Sequence, residues 1–499
     1  MRQSNAELSP DAFRAAGHQL VDQIAEFLGS LSRRPVAPAA TPSEVRALLS
    51  ATTSLPARGG DSSAILREAA DLVLNHSTFN GHPRFFGYIT SSASPIGALA
   101  DLLASAVNPN CGAWSLSPMA TEIERQSVRW IAELIGFTPD AGGLIESGGN
   151  VANMVCLIAA LRSAAGFDVR ARGLGAATRL AVYASSEVHT WLHKGLDICG
   201  LGTEALRAIP VDRSLSMDMS ALERQIRNDV DAGWKPAVVV GTAGSVSTGA
   251  IDPLTEIAAL CAERGIWFHV DGAYGAPAAV LGDGPSSLRA IAQADSVAVD
   301  PHKWLYAPLE AGCALVRDPE KLRSAFSFHP PYYRFDGDAE DPPTNFHEWG
   351  PQNSRGFRAL KVWTTMRQCG RDGYVRMIGD DIAISRAMYA LAEAHAEVEA
   401  FTQSLSIATF RYVPLALRDR AGEPETAKYL NDLNTALLER LQKAGEIYLS
   451  NAVIGGRFAL RACIVNFRTS MTDAQTVIDT VVREGRELDR VWSREVNHG

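Results

Sequence analysis

Residues 295–305 read Asp-Ser-Val-Ala-Val-Asp-Pro-His-Lys-Trp-Leu, an apolar run that stops at Asp300-Pro301 and is followed at once by a histidine and a lysine. A lysine at the end of a buried strand can be desolvated, which lowers the pKa of its amine and makes it nucleophilic at neutral pH. A lysine that forms a Schiff base needs such an amine. Taken alone, Lys303 is more simply explained as a surface lysine at a strand end, so its role depends on the rest of the sequence.

The composition is typical of a soluble protein with a large core. The chain has 499 residues, of which 46% are hydrophobic and 21% charged, and its formal net charge is -9. Acidic and basic residues are interspersed, so we expect neither nucleic acid nor an anionic membrane as a partner. We find no apolar run long enough for a membrane span and no signal peptide. Seven dispersed cysteines without a CxxC pair favour reduced thiols and a cytoplasmic location.

From about residue 86 the sequence alternates between apolar strands and amphipathic helices, which predicts a mainly parallel sheet with helices on both faces. The predicted strands are 143–145, 180–183, 237–240, 267–270, 296–299 and 313–316. The predicted helices among them are 117–135, 150–165, 218–230, 253–264 and 285–293. Ligands bind at the carboxyl ends of the strands in such sheets.

The rest of the chain predicts a division into an N-terminal segment (1–85), a large domain (86–380) and a small α+β domain (381–499). Helices at 8–31, 43–50 and 62–75 are too amphipathic to form their own core, and we expect them to pack on another surface, such as a second subunit. The last predicted helices are 357–368, 371–395, 426–443 and 472–488. The last predicted strands lie near 405–412, 446–450 and 458–467.

Residues 326–353 interrupt the alternating pattern with prolines, acidic residues and aromatic side chains. A long irregular segment within a compact domain is either a linker or a functional lid. The aromatic residues favour a lid.

Loops that follow the predicted strands carry the residues of a possible binding site. Asp271 ends one strand, and a buried carboxylate needs a cationic partner, which the protonated nitrogen of a flat cofactor ring would supply. Ala273 is small enough for such a ring to lie against the backbone. The alternative is that Asp271 caps the next helix.

Three further loops carry candidate binding residues. Gly148-Gly149-Asn150 joins a strand to a helix, where backbone N–H groups and the helix dipole favour an anion, although the loop is neither GxGxxG nor a P-loop. His189 follows a strand and either stacks on an aromatic ring or is a structural histidine. The hydroxyl of Ser245 can bond a phenolic oxygen or a carboxylate.

Asp300-Pro301-His302-Lys303-Trp304, together with residues 269–273, resembles the fold-type-I pyridoxal phosphate (PLP) enzymes. The finer resemblance is to the group II amino-acid decarboxylases, typified by aromatic L-amino-acid decarboxylase, and it includes residues 82–88, 117–124 and 458–461. It implies an α/β fold with a mainly parallel central sheet, an N-terminal helical segment and a small C-terminal α+β domain. It also implies PLP as the cofactor, no metal, and a homodimer with active sites at the subunit interface.

The resemblance implies a role for each matching position. Lys303 would bind the cofactor covalently, Asp271 would pair with its ring nitrogen, and His189 would stack on the ring. Tyr332 matches the loop tyrosine that protonates the substrate carbon after CO2 leaves, with adjacent Tyr333 as the alternative. The other predicted cofactor-binding residues are Ala273, His302, Asp300, Gly148, Gly149, Asn150 and Ser245.

The substrate pocket is where the chain departs most from the pattern that it resembles. The predicted substrate-binding residues are Tyr88, Ser91 and Trp114. Aromatic members have Phe-Pro-Thr where this chain has Ile89-Thr90-Ser91, and Gly112 stands where a bulky residue is frequent. Because of these changes, the family's usual substrates are a weaker guide to the substrate of this chain. The residues predicted for the decarboxylation chemistry are unchanged.

The sequence therefore predicts PLP-dependent α-decarboxylation of an L-amino acid, with an aromatic substrate favoured. An oxygen-dependent aldehyde synthase on the same scaffold is an alternative, although Tyr332 argues against it because that subgroup typically has Phe there. A decarboxylase of a non-aromatic amino acid, an aminotransferase, and a binding protein without activity are further alternatives. Intact Lys303 and Asp271 argue against the last of these.

Overall fold

The computed structural model describes residues 6–50, 52–176, 179–328 and 342–498, and the strands within these ranges form two sheets. The strands are β1 (Gly142–Glu146), β2 (Leu180–Ser185), β3 (Leu206–Ile209), β4 (Lys235–Thr242), β5 (Trp267–Asp271), β6 (Ser296–Val299), β7 (Gly312–Val316), β8 (Val398–Ser404), β9 (Ile407–Tyr412), β10 (Ser450–Ile454) and β11 (Arg457–Cys463). The helices are α1 (Pro10–Ser30), α2 (Pro42–Leu48), α3 (Ser62–His76), α4 (Pro95–Val107), α5 (Pro118–Leu134), α6 (Gly149–Ala165), α7 (Val169–Arg172), α8 (Trp191–Ile198), α9 (Met219–Asp231), α10 (Leu254–Arg264), α11 (Pro319–Phe326), α12 (Ala359–Ala394), α13 (Pro424–Ala444) and α14 (Met471–His498).

The larger sheet has seven strands in the order β1-β7-β6-β5-β4-β2-β3. Strands β2 to β6 pair in parallel, whereas β7 is antiparallel to both of its neighbours. This arrangement confirms the predicted mainly parallel sheet. Because β4, β5 and β6 lie side by side and point the same way, the loops after Thr242, Asp271 and Val299 meet at one edge of the sheet.

Apolar side chains cover both faces of this sheet, because successive residues of a strand point to opposite sides. Val182, Val238 and Val240 pack with the almost wholly apolar helix α6 on one face. Tyr183, Val239 and Val270 pack on the other face, with α5 and α10. The doubly covered sheet explains why the sequence shows apolar runs rather than strict alternation.

The smaller sheet is antiparallel, in the order β10-β11-β9-β8, and α13 and α14 pack against it. A segment from the beginning of the large domain joins it. Phe86 donates its N–H to the carbonyl of Tyr448 at 2.8 Å and accepts from the N–H of Cys463 at 3.0 Å. Residues next to the predicted substrate-binding Tyr88 are therefore attached to the C-terminal sheet.

The predicted elements agree with the structure best where the apolar runs are long. The six predicted strands of the large domain are all present, whereas β3, β8, α4, α7, α8 and α11 were not predicted. Residues 286–293 form a 3-10 helix rather than an α-helix. The helices predicted at 357–368 and 371–395 form α12, which departs from helical geometry at Gly370. Since residue 380 lies inside α12, the predicted domain boundary there stays a prediction.

The predicted lid at 326–353 is only partly described. Residues 329–341, which include Tyr332 and Tyr333, lie outside the described residues. Phe346 and Trp349 pack into the hydrophobic cluster around α6, and the assignment of 326–353 to a lid stays a prediction. Their apolar area is buried against the sheet.

The structure also bears on the cysteines and on membrane-crossing helices. All seven cysteines are free. None of the helices in the described ranges combines the length and apolar character needed to cross a membrane.

Candidate active site

Lys303 lies in the turn after β6, where its amine forms an ion pair with Asp300. The distance from Lys303 Nζ to Asp300 Oδ2 is 2.9 Å, and the Lys303 N–H donates to the Asp300 carbonyl at 2.9 Å. Asp300 is buried, and its second carboxylate oxygen, Oδ1, has no hydrogen-bond partner in the described structure. The turn therefore aims a charged pair at the carboxyl edge of the sheet.

The electrostatics of Lys303 differ from the sequence-based expectation. Burial lowers the pKa of the amine. The charge and hydrogen bond of Asp300, together with the charge of Asp271, raise this pKa by more than burial lowers it, so the net shift is upward. The expectation that desolvation makes this amine nucleophilic was therefore wrong for the state described, because Asp300 stabilises the ammonium. The amine must leave this ion pair before it can act as a nucleophile.

A second support for this turn comes from α12. Trp304 Nε1 and the Tyr306 hydroxyl donate to Oδ2 of buried Asp381, at 2.9 and 2.7 Å. Burial raises the pKa of Asp381 to about 7. Tyr306 has a positive φ of 57°, a conformation that costs energy for a non-glycine residue. The Asp381 contacts hold the residues after Lys303 in this strained turn.

Asp271 lies at the end of β5, on the same edge of the sheet, and is itself buried. Its Oδ2 accepts a hydrogen bond from Trp191 Nε1 at 2.7 Å, and its Oδ1 accepts from the Ala273 N–H at 3.2 Å. Each carboxylate oxygen has two lone pairs, so these bonds orient the group and leave acceptor capacity for a cationic partner. The alternative of a helix cap is not what Asp271 does here, because it ends a strand and caps no helix.

Asn153 joins Asp271 to the glycine loop. Its Nδ2 donates to the Gly149 carbonyl at 2.9 Å and to Asp271 Oδ1 at 3.4 Å. Its Oδ1 lies 2.8 Å from His269 Nε2, so this histidine nitrogen carries the proton, because an amide oxygen only accepts. Burial lowers the pKa of His269 to about 4, which keeps the ring neutral and fixes the orientation of the amide.

The glycine loop between β1 and α6 is packed closely against the Lys303 turn. Gly148 has a φ of 100°, and a Cβ on Gly149 would lie 2.5 Å from Asp300 Oδ2. Helix α6 starts without a side-chain cap, so its first N–H groups are left for a ligand. Asn150 lies in this first turn and is exposed, so its side chain is accessible to a ligand.

The two predicted histidines differ in their surroundings. His189 keeps much of its ring accessible, and its Nδ1 accepts from the Trp191 N–H at 3.2 Å. Partial burial lowers the pKa of His189, so a neutral ring is available for stacking. His302 contacts Ala311 through Nδ1, at 2.7 Å from the carbonyl oxygen, and burial lowers its pKa too.

The remaining predicted residues have hydrogen-bond partners within the chain. The Ser245 hydroxyl lies 3.0 Å from the Thr248 hydroxyl, and the Ser91 hydroxyl donates to the His302 carbonyl at 2.8 Å. Ala273 accepts the N–H of Asp300 at 3.1 Å, which ties the ends of β5 and β6 together. Ser91 is thus a support of the Lys303 turn, and its contact with a substrate stays a prediction.

Tyr88 and Trp114 lie in different surroundings. Tyr88 is 61% exposed, and its backbone is held by Ser450 and Arg461. Trp114 donates its indole N–H to Glu122 at 3.1 Å and its backbone N–H to Asn345. The hydrogen bonds of Trp114 therefore link it to α5 and the segment before Phe346, and none of them joins it to Tyr88 or Lys303.

Sequence reasoning missed Trp191, Asn153 and Arg461 as supports of the site. Trp191 is separated from Asp271 by 80 residues and Asn153 by 118, so no local pattern could pair them. Position offered a partial signal, because Trp191 follows His189 closely and Asn153 lies one turn after the glycine loop. Arg461 belonged to a quoted motif but had received no role.

The residues at this edge fit the PLP that the resemblance implies. Lys303 offers an amine for the aldehyde, and buried Asp271 offers a carboxylate for the ring nitrogen. The uncapped start of α6 offers N–H groups for the phosphate, in a cradle that has no room for a side chain at Gly149. The Asp300 carboxylate lies 2.9 Å from the Lys303 amine. Because this carboxylate is negatively charged, it attracts the ammonium of Lys303 and repels a phosphate.

Comparisons with known proteins agree with this arrangement. The family model described as the pyridoxal-dependent decarboxylase conserved domain matches residues 42–413. An aromatic-L-amino-acid decarboxylase from Bacillus atrophaeus is 32% identical over 467 residues, 93% of this chain and 94% of that protein. A phenylacetaldehyde synthase from a Rosa hybrid cultivar is 29% identical over 466 residues, 92% of this chain and 90% of that protein. The crystal structure of Oryza sativa TDC with PLP and tryptamine has a TM-score of 0.89 at 27% identity and covers 97% of this chain and 100% of that chain.

The similarity extends over most of the sequence and includes the strands and loops that carry Lys303 and Asp271. The fold, the site and the family model agree on a PLP-dependent amino-acid decarboxylase, a carboxy-lyase. This chain therefore belongs to the pyridoxal-dependent decarboxylase family.

Proposed function

We propose that this enzyme decarboxylates an aromatic L-amino acid to the corresponding amine and CO2. The observation that carries the proposal is the meeting of Lys303, Asp271 and the uncapped α6 at one edge of the sheet. Tyr88 is exposed and is linked to the Lys303 turn through Ser91, which bonds to the His302 carbonyl. The aromatic-L-amino-acid decarboxylase relative, similar over 93% of this chain, supports an aromatic substrate.

When bound, PLP supplies an electron sink for the electron pair that remains on the substrate carbon as CO2 leaves. Asp271, oriented by Trp191, would hold the proton on the ring nitrogen. Lys303 would anchor the cofactor and yield its place to the substrate amine. His189, with its accessible neutral ring, would lie over the cofactor face and limit the tilt of the substrate.

The proton that replaces the carboxylate needs a donor. We assign it to Tyr332, which lies outside the described residues, with Tyr333 as the alternative. The basis of this assignment is the resemblance of the Pro330-Pro331-Tyr332 stretch to the family's loop tyrosine. A tyrosine donor would distinguish the enzyme from an aldehyde synthase, in which a Phe is typical at this position.

We further propose a cytoplasmic homodimer whose active sites lie at the subunit interface, with residues 1–85, 86–380 and 381–499 as the units of each chain. Large apolar side chains are exposed along α4, including Leu99, Leu103 and Val107. A cluster of exposed apolar side chains on a single chain is typical of a surface that a second subunit covers. Trp114, which bonds to Glu122 and Asn345 and not to residues of the Lys303 turn, would then reach a site in the partner subunit.

The test is a panel of the twenty common amino acids and hydroxylated aromatic amino acids, with CO2, amine, aldehyde and peroxide measured together. We expect amine and CO2 in equal amounts from at least one aromatic amino acid. Amine from aliphatic or acidic amino acids alone would refute the aromatic substrate, and absence of amine throughout would refute decarboxylation to an amine.

An aldehyde synthase is the second candidate, because a phenylacetaldehyde synthase is 29% identical over 92% of this chain. That activity consumes oxygen and water and releases aldehyde, ammonia and hydrogen peroxide in step with CO2. Anaerobic assay separates the two, since amine formation continues without oxygen and aldehyde formation stops.

A further inference from the structure

The backbone of Tyr88 is held in a strained conformation. Its φ is 52°, in the left-handed region, which is uncommon for a bulky aromatic residue. Residues in such conformations persist where the surrounding structure determines them, and they concentrate at functional sites. The contacts that hold Tyr88 therefore bear on what its side chain does.

Both backbone groups of Tyr88 are bound by the small sheet. The Tyr88 N–H donates to Ser450 Oγ at 3.3 Å, and Arg461 Nη1 donates to the Tyr88 carbonyl at 2.9 Å. Arg461 Nη1 also donates to Ser450 Oγ at 3.1 Å, and these two residues are directly opposite in the β10–β11 pairing. The three residues form a closed set of hydrogen bonds.

The residues before Tyr88 are equally fixed. Phe86 bonds to Tyr448 and Cys463 through its backbone, and a Cβ on Gly87 would lie 2.6 Å from the Tyr448 ring. The segment therefore cannot shift along the sheet without breaking several contacts. The side chain of Tyr88 is the exposed exception, since 61% of the residue is accessible.

Arg461 is an unusual residue for a protein interior. It is 2% exposed and has no ion-pair partner in residues 6–50, 52–176, 179–328 and 342–498. Its Nε and Nη2 atoms lack hydrogen-bond partners there. A buried, unpaired guanidinium destabilises a fold, so stability alone does not account for this residue.

This set of contacts adjoins the Lys303 turn. Cys463, two residues after Arg461 on the same face of β11, belongs to the same buried hydrophobic cluster as Trp304 and Tyr306, which follow Lys303. On the other side, Ser91 bonds to the His302 carbonyl. Tyr88 is thus attached to the small sheet at one end and, through Ser91, to the lysine turn at the other.

We propose that Arg461, together with Ser450, is a positioning residue that fixes Tyr88 and thereby sets the preference of the enzyme for an aromatic substrate side chain. This inference rests on the proposed function. The C-terminal domain then contributes to substrate selection without touching the substrate.

The test is a double-mutant cycle in the PLP-loaded full-length enzyme with Arg461→Met, Tyr88→Ala and their combination. We expect Arg461→Met to raise KM for an aromatic substrate about tenfold, as for the loss of one charged hydrogen bond. We expect kcat and PLP content to change little, and KM for leucine or another aliphatic amino acid to stay within about twofold. In the Tyr88→Ala background Arg461→Met should have no further effect on selectivity.

Arg461→Lys keeps the charge and one donor, and should restore part of the aromatic preference. Arg411→Met is the matched control, because Arg411 is a buried arginine of the same sheet that pairs with Glu399. It should lower stability without altering the ratio of KM values. If Arg461→Met does not fold, Ser450→Ala provides the test, with an expected loss of aromatic preference of about threefold.

Three outcomes would overturn the inference. They are an unchanged KM ratio in Arg461→Met, additive effects of the two substitutions, and an equal rise in KM for every amino acid, which would place Arg461 at the substrate carboxylate instead. A wild-type enzyme that forms no amine from any aromatic amino acid would refute the proposed function, and this result is distinct from the three above.

Discussion

Lys303 Nζ and Asp300 Oδ2 lie 2.9 Å apart, so the amine that must react with a carbonyl is held as an ammonium by a carboxylate three residues earlier. A folded-state pKa raised above the ordinary value of 10.5 means that the pair stabilises the cofactor-free protein below that pH. This contribution is lost as the pH rises through the raised pKa. We expect the same pair to slow the reaction of the amine at neutral pH, because it lowers the fraction of neutral amine.

Asp300→Asn tests this relationship. Removing the carboxylate leaves burial as the main effect on Lys303, so its pKa should fall and more neutral amine should be present at each pH below it. We expect the pH midpoint for incorporation of PLP into the cofactor-free protein to move down, as followed by visible absorbance. Exposed Asp283→Asn is the control and should leave the midpoint in place. An unchanged or higher midpoint in Asp300→Asn would contradict the role assigned to the ion pair.

Trp191→Phe should weaken the hold on Asp271. The indole N–H donates to the carboxylate at 2.7 Å, and hydrogen bonds to charged groups contribute about 1.5–3 kcal/mol. We expect PLP affinity or kcat to fall on the order of 10- to 100-fold. Titration of the cofactor-free protein with PLP measures the first, and steady-state assay the second.

Trp363→Phe is the matched substitution, since the indole N–H of Trp363 bonds to exposed Gln126 far from Asp271 in the chain. It should leave both quantities close to wild type. Equal losses in the two variants would contradict the role assigned to the hydrogen bond from Trp191 to Asp271.

Asn153→Ala should remove the hydrogen bonds that link the glycine loop to Asp271. It removes the donor to the Gly149 carbonyl and to Asp271, and it leaves His269 Nε2 without an acceptor, at a cost of about 1–3 kcal/mol. We expect a weaker PLP complex as well as a lower free energy of unfolding. Asn434→Ala is the control, because Asn434 is equally buried but bonds to Tyr412 in the small domain.

The two asparagine variants should therefore lose similar stability, while only Asn153→Ala loses PLP affinity. If Asn434→Ala weakens PLP binding as much as Asn153→Ala does, the effect belongs to general loss of stability and the assigned link between Gly149 and Asp271 is wrong.

Tyr332→Phe tests the proposed proton donor. The substitution removes a hydroxyl and retains the ring, so substrate binding should change little while the yield of amine per CO2 falls at least tenfold. Simultaneous measurement of amine, aldehyde and CO2 checks this. Tyr333→Phe is the neighbouring control, and a loss of amine in that variant alone would move the assignment to Tyr333.

The extent to which sequence predicted this structure depends on how far apart the interacting residues lie. The positions of Lys303 and Asp271 could be predicted, because each occurs in a short motif at the end of an apolar strand. The strands themselves were predicted because both of their faces are buried. Their pairing order then brings the two loops to one edge.

The supports of these residues could not be predicted in the same way. The bond from Trp191 to Asp271 and the bond from Arg461 to Tyr88 join residues far apart in sequence, with no periodic signal between them. The sign of the Lys303 pKa shift was missed for a related reason. Desolvation by a strand end can be inferred from sequence, but the 2.9 Å approach of Asp300 is set by the geometry of the turn.

Helix α12 connects the Lys303 turn to the small C-terminal sheet. It carries Asp381, which binds Trp304 and Tyr306 directly after the reactive lysine, and its C-terminal end leads into β8 of the small sheet. Substitutions at the surface of the small domain that shift this helix thus have a mechanical route to the amine. The turn that carries the reactive amine is therefore built partly from the C-terminal half of the chain, and a chain that ended before α12 would lack the support of Asp381.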